Sequence, residues 1–280
     1  MYTSKEFYQV MKIKHFFETH PVFRYEEFTD FMRSQKVTRP EGWRQKLSYH
    51  QKAGHLVHIR RFLYAVKSTT SDTQWLDPYL IASKAAPDSI IAYHTALELH
   101  GIAYTTFNEF LLLTSRRITP FSFETQRFKP VMQPIALIKN ESTDFATETV
   151  MREGVHVKLT TIERTIVDIF SRPDFGGGWE EIFRSLDNVT QFDADKAVKY
   201  ALLLGKATTI SMLGYFFEQR PAHLAVDKKY IDQLLQYIPK KPHYISRAPR
   251  SQGKYIKKWQ LIIPTEIINR TWEEPNAEDI

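Results

Sequence analysis

Three charged side chains, Glu163, Arg164 and Asp168, lie within six residues of one another and could contribute to a carboxylate-based catalytic site. Arg164 and Asp168 are four residues apart in a segment that we expect to be helical, so their side chains can pair along one helix face. Such a pair more often holds a helix in place, and we expect a structural role for all three residues. A metal-dependent nuclease that uses Glu163 and Asp168 is the less favoured alternative.

Metal and cofactor chemistry has little support in the sequence. His94 and His100 have no third ligand nearby, so we expect core or hydrogen-bonded histidines and no metal. The glycines of the segment FGGGW lack the following Lys and Ser or Thr of a phosphate-binding loop, and we expect them to form a turn before a helix near Trp179. No cofactor is expected.

The chain of 280 residues contains no cysteine, which excludes disulfides, thiolate catalysis and cysteine-based zinc sites and favours the reducing cytoplasm. No window of about 20 apolar residues is present, so we expect no membrane span. The first residues show no secretory signal pattern. The sequence therefore predicts a cytoplasmic protein.

Basic residues are concentrated near the start of the chain. The net charge is +6, and residues 1–66 alone hold twelve Lys and Arg against six Asp and Glu. Between residues 33 and 61, eight basic residues accompany a single acid, Glu41. A basic stripe in one short segment is typical of a surface that binds a polyanion, whereas a solvated surface without a partner is the alternative.

The elements of this basic segment predict a winged helix-turn-helix over residues 1–67. Helices are expected near residues 4–20, 25–34 and 40–53, followed by a β-hairpin. In such a fold the third helix enters the major groove of DNA. Trp43 and Leu47 are expected to pack inward. The residues expected to contact double-stranded DNA are Arg39, Arg44, Lys46, Tyr49, Lys52, Arg60 and Arg61.

The hairpin, GHLVHIRRFLYAV at residues 54–66, carries Arg60 and Arg61 between its two apolar runs. Tight two-residue turns favour Gly, Asn or Asp because their backbone needs positive φ, and none of these is present. We therefore expect a looser loop or a bulge at residues 60–62, with Phe62 packed back on the third helix. The two arginines are expected to grip the DNA backbone or the minor groove.

The remainder of the chain changes in pattern. Residues 68–77 are polar and aperiodic and predict a linker. Residues 78–225 mix strand and helix patterns and become mostly helical from Trp179, which predicts an α+β domain. Residues 226–280 are expected to be a helical and basic extension. Seven Lys and Arg and no acid occur within residues 239–260, which form either a second basic surface or an exposed loop before a closing strand.

Three stretches in this order resemble the AbiEi-type antitoxin family, the regulator half of type IV toxin–antitoxin and abortive-infection systems. They are HIRRFLYAV at the end of the basic segment, LIASKAAPDSIIAYHTALELHGI at residues 80–102, and VKLTTIERTIVDIFSRPDFGGGWEEIF at residues 157–183. His94, Glu163, Arg164 and Asp168 lie within the second and third stretches. One departure occurs at Phe62, where the family wing usually carries glycine.

The resemblance implies a transcriptional repressor of its own operon whose second, antitoxin-like domain neutralises a nucleotidyltransferase toxin encoded nearby, in phage defence. No Gly-Ser or Gly-Gly followed by Asp-x-Asp, the pattern of a nucleotidyltransferase metal site, is present, so we expect the regulator and not an enzyme. The alternative is a protein-interaction module whose winged helix does not bind DNA.

Overall fold

The computed structural model describes residues 4–35, 41–67, 76–220, 226–246 and 253–270. The N-terminal unit, residues 4–67, combines three helices with a three-stranded antiparallel sheet in the order β1-β3-β2. Its elements are α1 (Ser4–Thr19), β1 (Val22–Arg24), α2 (Tyr25–Ser34), α3 (Glu41–Lys52), β2 (Leu56–Arg60) and β3 (Leu63–Val66).

Aromatic side chains form the core of this unit. The ring of Phe16 from α1 makes edge contacts with Phe23 of β1 and Phe28 of α2, at centroid distances of 5.0 and 5.4 Å. Trp43 and Leu47, four residues apart on α3, complete the same buried cluster. The inward packing predicted for these two α3 residues is confirmed, and it fixes which face of α3 meets solvent.

A six-stranded mixed sheet forms the centre of the second unit. Its order is β6-β7-β5-β4-β9-β8, in which β5 runs parallel to β7 and β4 runs parallel to β9. The first elements are α4 (Pro78–Lys84), β4 (Ile90–Ile91), α5 (His94–Leu99), β5 (Glu109–Thr114), β6 (Phe121–Phe123), β7 (Gln126–Met132), α6 (Ile135–Lys139), β8 (Thr147–Arg152) and β9 (Val155–Thr160). The fold is α+β, as the sequence predicts.

Helices cover the sheet and supply the larger core. They are α7 (Ile162–Ser171), α8 (Trp179–Asp187), α9 (Ala194–Leu204), α10 (Ala207–Glu218) and α11 (Lys228–Leu235). The expected turn before α8 is confirmed, because Gly177 and Gly178 have φ of 86° and 90°, where glycine is favoured. The side chain of Asp193 accepts a hydrogen bond from the Lys196 backbone at 3.1 Å and so caps the start of α9.

The C-terminal part differs from the predicted helical extension. Beyond α11 it forms a small sheet in the order β10-β12-β11, from β10 (His243–Tyr244), β11 (Gly253–Ile256) and β12 (Leu261–Pro264), and then α12 (Thr265–Ile268). Trp259 is fully buried against Gly214 of α10, where an added Cβ would lie 2.0 Å from the indole. Burial of this indole and of β12 makes the segment part of the main core and not an appendage.

The two units share one buried cluster. Val22, Leu63 and Ala65 of the N-terminal sheet pack with a group from the second unit that includes Leu80, Ile81, Phe110 and Phe128. The predicted linker therefore ends earlier than residue 77, since Leu76 and Asp77 are buried and the Asp77 side chain caps α4 by accepting from the Tyr79 backbone at 2.9 Å. Residues 68–75 of that linker lie outside the described residues.

Polar contacts reinforce the junction between the units. Arg24 Nη1 donates to the carbonyl oxygens of Lys84 and Ala85 at 3.2 and 3.3 Å, and Lys84 pairs with Glu27 of α2. The N-terminal unit is thus fixed to the start of the second unit through both apolar and charged groups. None of the helices in the described ranges has the length and apolar composition needed to cross a membrane.

Candidate nucleic-acid interface

The solvent face of α3 is polar along its whole length. Because Trp43 and Leu47 point inward, the side chains on the other face of the helix are exposed: Arg44, Gln45, Ser48, Tyr49, Gln51 and Lys52. Tyr49 exposes 63% of its surface, which is unusual for an aromatic residue. Gly54, at φ +78°, ends the helix. The result is an exposed row of side chains that can donate hydrogen bonds to bases and phosphates.

Three of the predicted contact residues on this segment, Arg44, Tyr49 and Lys52, are exposed together on α3. Lys46 is half-buried, and this burial lowers the pKa of its ammonium group. It therefore occupies the border of the exposed face and not its centre. Arg39 lies outside the described residues.

The hairpin turn is tight, although it contains no glycine. β2 ends at Arg60 and β3 begins at Leu63, so only Arg61 and Phe62 form the turn. Phe62 has φ of 68°, a left-handed conformation that costs a residue with a side chain about 1–2 kcal/mol. The expected irregularity is present as a register shift, but it lies between His58 and Arg60, before the turn.

Contacts with α2 hold this strained turn. The carbonyl oxygen of Phe62 accepts a hydrogen bond from the Tyr25 backbone at 2.9 Å, and the two rings lie 6.1 Å apart. Phe62 is half-buried, and its ring lies near that of Tyr25, the first residue of α2, whereas we expected it to pack on α3. The backbone hydrogen bond explains why the turn persists without glycine.

Two guanidinium groups flank this ring pair. Arg61 lies 4.8 Å from the ring centroid of Phe62, and Arg44 of α3 lies 5.6 Å from that of Tyr25. Both arginines are exposed. We call these four residues, Arg61, Phe62, Tyr25 and Arg44, the arginine–aromatic stack. It brings one cation from the hairpin and one from α3 onto one surface, where the rings orient them.

Arg60 does not share this surface with Arg61. Its Nη1 donates to the carbonyl oxygen of Thr119 at 3.4 Å, and its guanidinium lies 4.6 Å from the ring of Phe121, both in the second unit. Burial, together with the nearby charge of Arg24, lowers the pKa of Arg60. The two hairpin arginines therefore have different neighbours, and the expected contact of both with DNA stays a prediction.

His94 lies far from this surface in a buried polar network. Tyr93, at φ 57° and ψ −137°, forms the turn from β4 into α5 and places His94 at the start of that helix. His94 Nε2 lies 3.0 Å from Glu181 and its Nδ1 lies 3.2 Å from Glu98, while the ring stacks on Phe107. The expectation of a buried, hydrogen-bonded histidine is confirmed.

Arg164 and Asp168 form the expected pair on α7, with Nε 3.4 Å from the carboxylate, and both are buried. Arg164 also donates to the carbonyl oxygens of Thr143 and Phe145, each at 2.8 Å, and Tyr200 donates to Asp168 at 2.7 Å. Burial raises the pKa of Asp168 although Arg164 acts in the opposite direction. These contacts connect α7 to α9 and to the loop before β8.

Glu163 projects toward a different neighbour. It accepts hydrogen bonds from the Asp193 backbone at 3.0 Å and from Lys196 Nζ at 3.4 Å, at the start of α9. Burial alone would raise the pKa of Glu163, but polar contacts that include the Asp193 backbone N–H and the charge of Lys196 outweigh it, so the pKa is lowered. Glu163 and Asp168 thus have separate partners. Within the described ranges, no three His, Asp or Glu side chains converge as a metal site would require.

Sequence reasoning missed the aromatic half of the stack. Tyr25 could be identified only as the first residue of a helix, and Phe62 only as an unexpected turn residue. Their contact depends on the pairing of β1 with β3, which places Arg24 beside Leu63, a residue 39 positions later in the chain. Glu181 was also missed as a partner of His94, because it lies 87 residues away. Glu98 was missed as well, although its spacing of four residues from His94 on α5 could have indicated it.

Comparisons with known proteins show the fold alone. The RV2827C protein from Mycobacterium tuberculosis has a crystal structure that matches with a TM-score of 0.60 and 14% identity, over 94% of each chain. No family model matches the chain. No curated protein matches it either. The similarity to RV2827C extends over both units, so their combination in one chain also occurs in that protein.

Proposed function

We propose that this chain is a cytoplasmic, DNA-binding transcriptional regulator with antitoxin function, whose N-terminal unit is a winged helix-turn-helix. The arginine–aromatic stack is the observation that carries the DNA-binding part. It joins the exposed face of α3 to the hairpin turn, and these are the two elements with which a winged helix contacts the major groove and the adjacent backbone. In this proposal Arg44 contacts a base edge or phosphate, and Arg61 contacts the backbone.

Electrostatics supports the same surface. All of the net positive charge of the chain lies in residues 1–66. A guanidinium held over a ring keeps its charge and its planar set of donors while losing less conformational freedom on binding. Tyr49, exposed on the same helix as Arg44, provides a further donor and an aromatic surface. A polyanion with regularly spaced phosphates, such as duplex DNA, fits this distribution.

The test is binding of the full chain to the DNA upstream of its own reading frame, measured by fluorescence anisotropy at several salt concentrations. Replacing Arg44 by alanine should weaken binding about tenfold or more. Lys228→Ala is the matched control, because Lys228 is an exposed cation on α11, a helix that packs against α9 and α10 of the second unit. Equal affinity of the Arg44 variant and the control, or weak binding that ignores DNA sequence, would refute specific recognition of the operator and favour a protein-interaction module.

The antitoxin part is supported by the resemblance to the AbiEi-type family and needs a separate test. Co-expression of the chain with a nucleotidyltransferase encoded beside it should restore the growth of cells that the toxin arrests. An Arg44→Ala, Arg61→Ala variant should lose repression of the operon and still restore growth, because the two activities use different units. Failure of the unaltered chain to restore growth would refute the antitoxin role alone.

A further inference from the structure

A short loop of the second unit lies directly against the hairpin. This loop, residues 115–120, follows β5 and carries two consecutive arginines, Arg116 and Arg117. Its contact with the N-terminal unit is the hydrogen bond from Arg60 Nη1 to the Thr119 carbonyl oxygen. The loop therefore lies on the side of the hairpin to which Arg60 points, and the arginine–aromatic stack lies on the side of Arg61.

The start of the loop is held rigidly. Asp88 accepts hydrogen bonds from Thr114 Oγ1 at 2.6 Å and from the Ser115 backbone at 2.7 Å. Thr114 Oγ1 in turn accepts from the Arg116 backbone at 3.1 Å. These three hydrogen bonds fix the backbone between the end of β5 and Arg116. A fixed backbone lowers the entropy lost when the arginines bind a ligand.

Both arginine side chains are exposed, and no carboxylate in the described ranges forms an ion pair with either of them. Neighbouring cations of the same sheet differ in this respect: Arg127 and Lys129 pair with Glu109, and Lys158 pairs with Asp144. Arg116 and Arg117 also line a shallow concavity of about 310 Å³, together with Thr119 and Met132 among others. Two uncompensated guanidiniums beside a concavity suit an anion.

We infer that Arg116 and Arg117 bind phosphates of the operator DNA that flank the segment contacted by α3, so that the DNA-binding surface extends onto the second unit. This inference rests on the proposed function. Arg60, which is committed to Thr119 and Phe121, acts as a positioning residue that holds the hairpin and the loop in one register. Contacts to phosphate do not depend on base identity, so the loop adds affinity without reading sequence.

The experiment measures operator binding by the full chain carrying Arg116→Ala and Arg117→Ala together, with Arg44→Ala and Lys228→Ala measured in parallel. The slope of log affinity against log salt should decrease by about 1.8, because each lost phosphate contact removes about 0.9. Affinity should fall about tenfold. Hydroxyl-radical footprints should shorten at one edge of the protected segment. Lysine at both positions should restore most of the slope, since phosphate requires charge above all.

The outcomes separate this inference from the proposed function. If Arg44→Ala weakens binding while the double variant keeps the wild-type slope and footprint, the DNA-binding role stands and the inference is overturned. If the double variant binds DNA as the wild type does but no longer binds a co-expressed partner protein, the inference is overturned in favour of an acidic protein ligand. If Arg44→Ala also has no effect, the proposed function itself fails. Unchanged thermal melting of the double variant confirms that any loss is not due to misfolding.

Discussion

The hairpin turn offers a test in which glycine and alanine should reverse their usual order of stability. Phe62 adopts φ 68°, where a Cβ crowds the following carbonyl group and glycine has no such penalty. Alanine at position 62 removes the ring but keeps the strain. Glycine removes both. The two variants therefore differ in backbone strain and not in lost packing.

The expected difference in the free energy of unfolding between the two variants follows from two opposing contributions. Left-handed backbone costs alanine about 1–2 kcal/mol, whereas glycine loses about 0.5–1 kcal/mol through the greater freedom of its unfolded state. Glycine at position 62 should be more stable than alanine by about 0.5–1 kcal/mol. Against the wild type, the alanine variant should lose about 2 kcal/mol, because the half-buried Phe62 ring contributes transfer energy and its contact with Tyr25.

Urea unfolding followed by circular dichroism measures the free energies. Ser48, exposed in the interior of α3, is the control site, because there glycine should be less stable than alanine by about 1 kcal/mol. The Gly–Ala difference at the two sites should thus have opposite signs. If alanine is as stable as glycine at position 62, Phe62 is not strained and the account of the turn is wrong.

Three further substitutions test the second unit. Arg164→Ala leaves a buried carboxylate without its partner and should destabilise the chain by about 3–5 kcal/mol, measured by urea unfolding. The pKa of Glu163 is lower in the folded chain than in the unfolded chain, so the stability that Glu163 contributes is fully present above the unfolded pKa and is lost as the pH falls through the folded pKa. Glu163→Gln should therefore flatten the decline of the free energy of unfolding below about pH 5. Gly214→Ala should displace Trp259, lower the melting temperature and shift indole fluorescence to the red. Gly42→Ala is the control and should be neutral or stabilising, because a Cβ added at Gly42 has no other atom within 4 Å.

Local sequence signals predicted most helices well. The helix expected at residues 25–34 has those bounds in the structure, and the helix expected near Trp179 begins at that residue, because amphipathic spacing and a flanking Gly are properties of adjacent residues. The same reasoning identified the inward face of α3 and the pairing of Arg164 with Asp168. Both depend only on helical periodicity.

Long-range contacts could not be predicted in this way. The direction of Arg60 is decided by Thr119 and Phe121, about sixty residues away, and nothing in the hairpin sequence indicates them. In the C-terminal sheet, β12 agrees with the closing strand that was one of the two expectations for this segment. β10 was missed because it contains two exposed residues and pairs with a strand beyond β11, so neither length nor alternation identifies it. The strained turn at Phe62 was missed because the compensating hydrogen bond comes from Tyr25.

The buried cluster shared by the two units has a consequence for how such a protein can change over time. Val22, Leu63 and Ala65 are covered by side chains of the second unit, so the N-terminal unit lacks a finished surface of its own. A recombination event that exchanged it for an unrelated unit would leave two mismatched apolar faces exposed to water. Substitutions on the exposed face of α3 leave this shared cluster intact, so the surface of the N-terminal unit can change while both parts of the chain are inherited together.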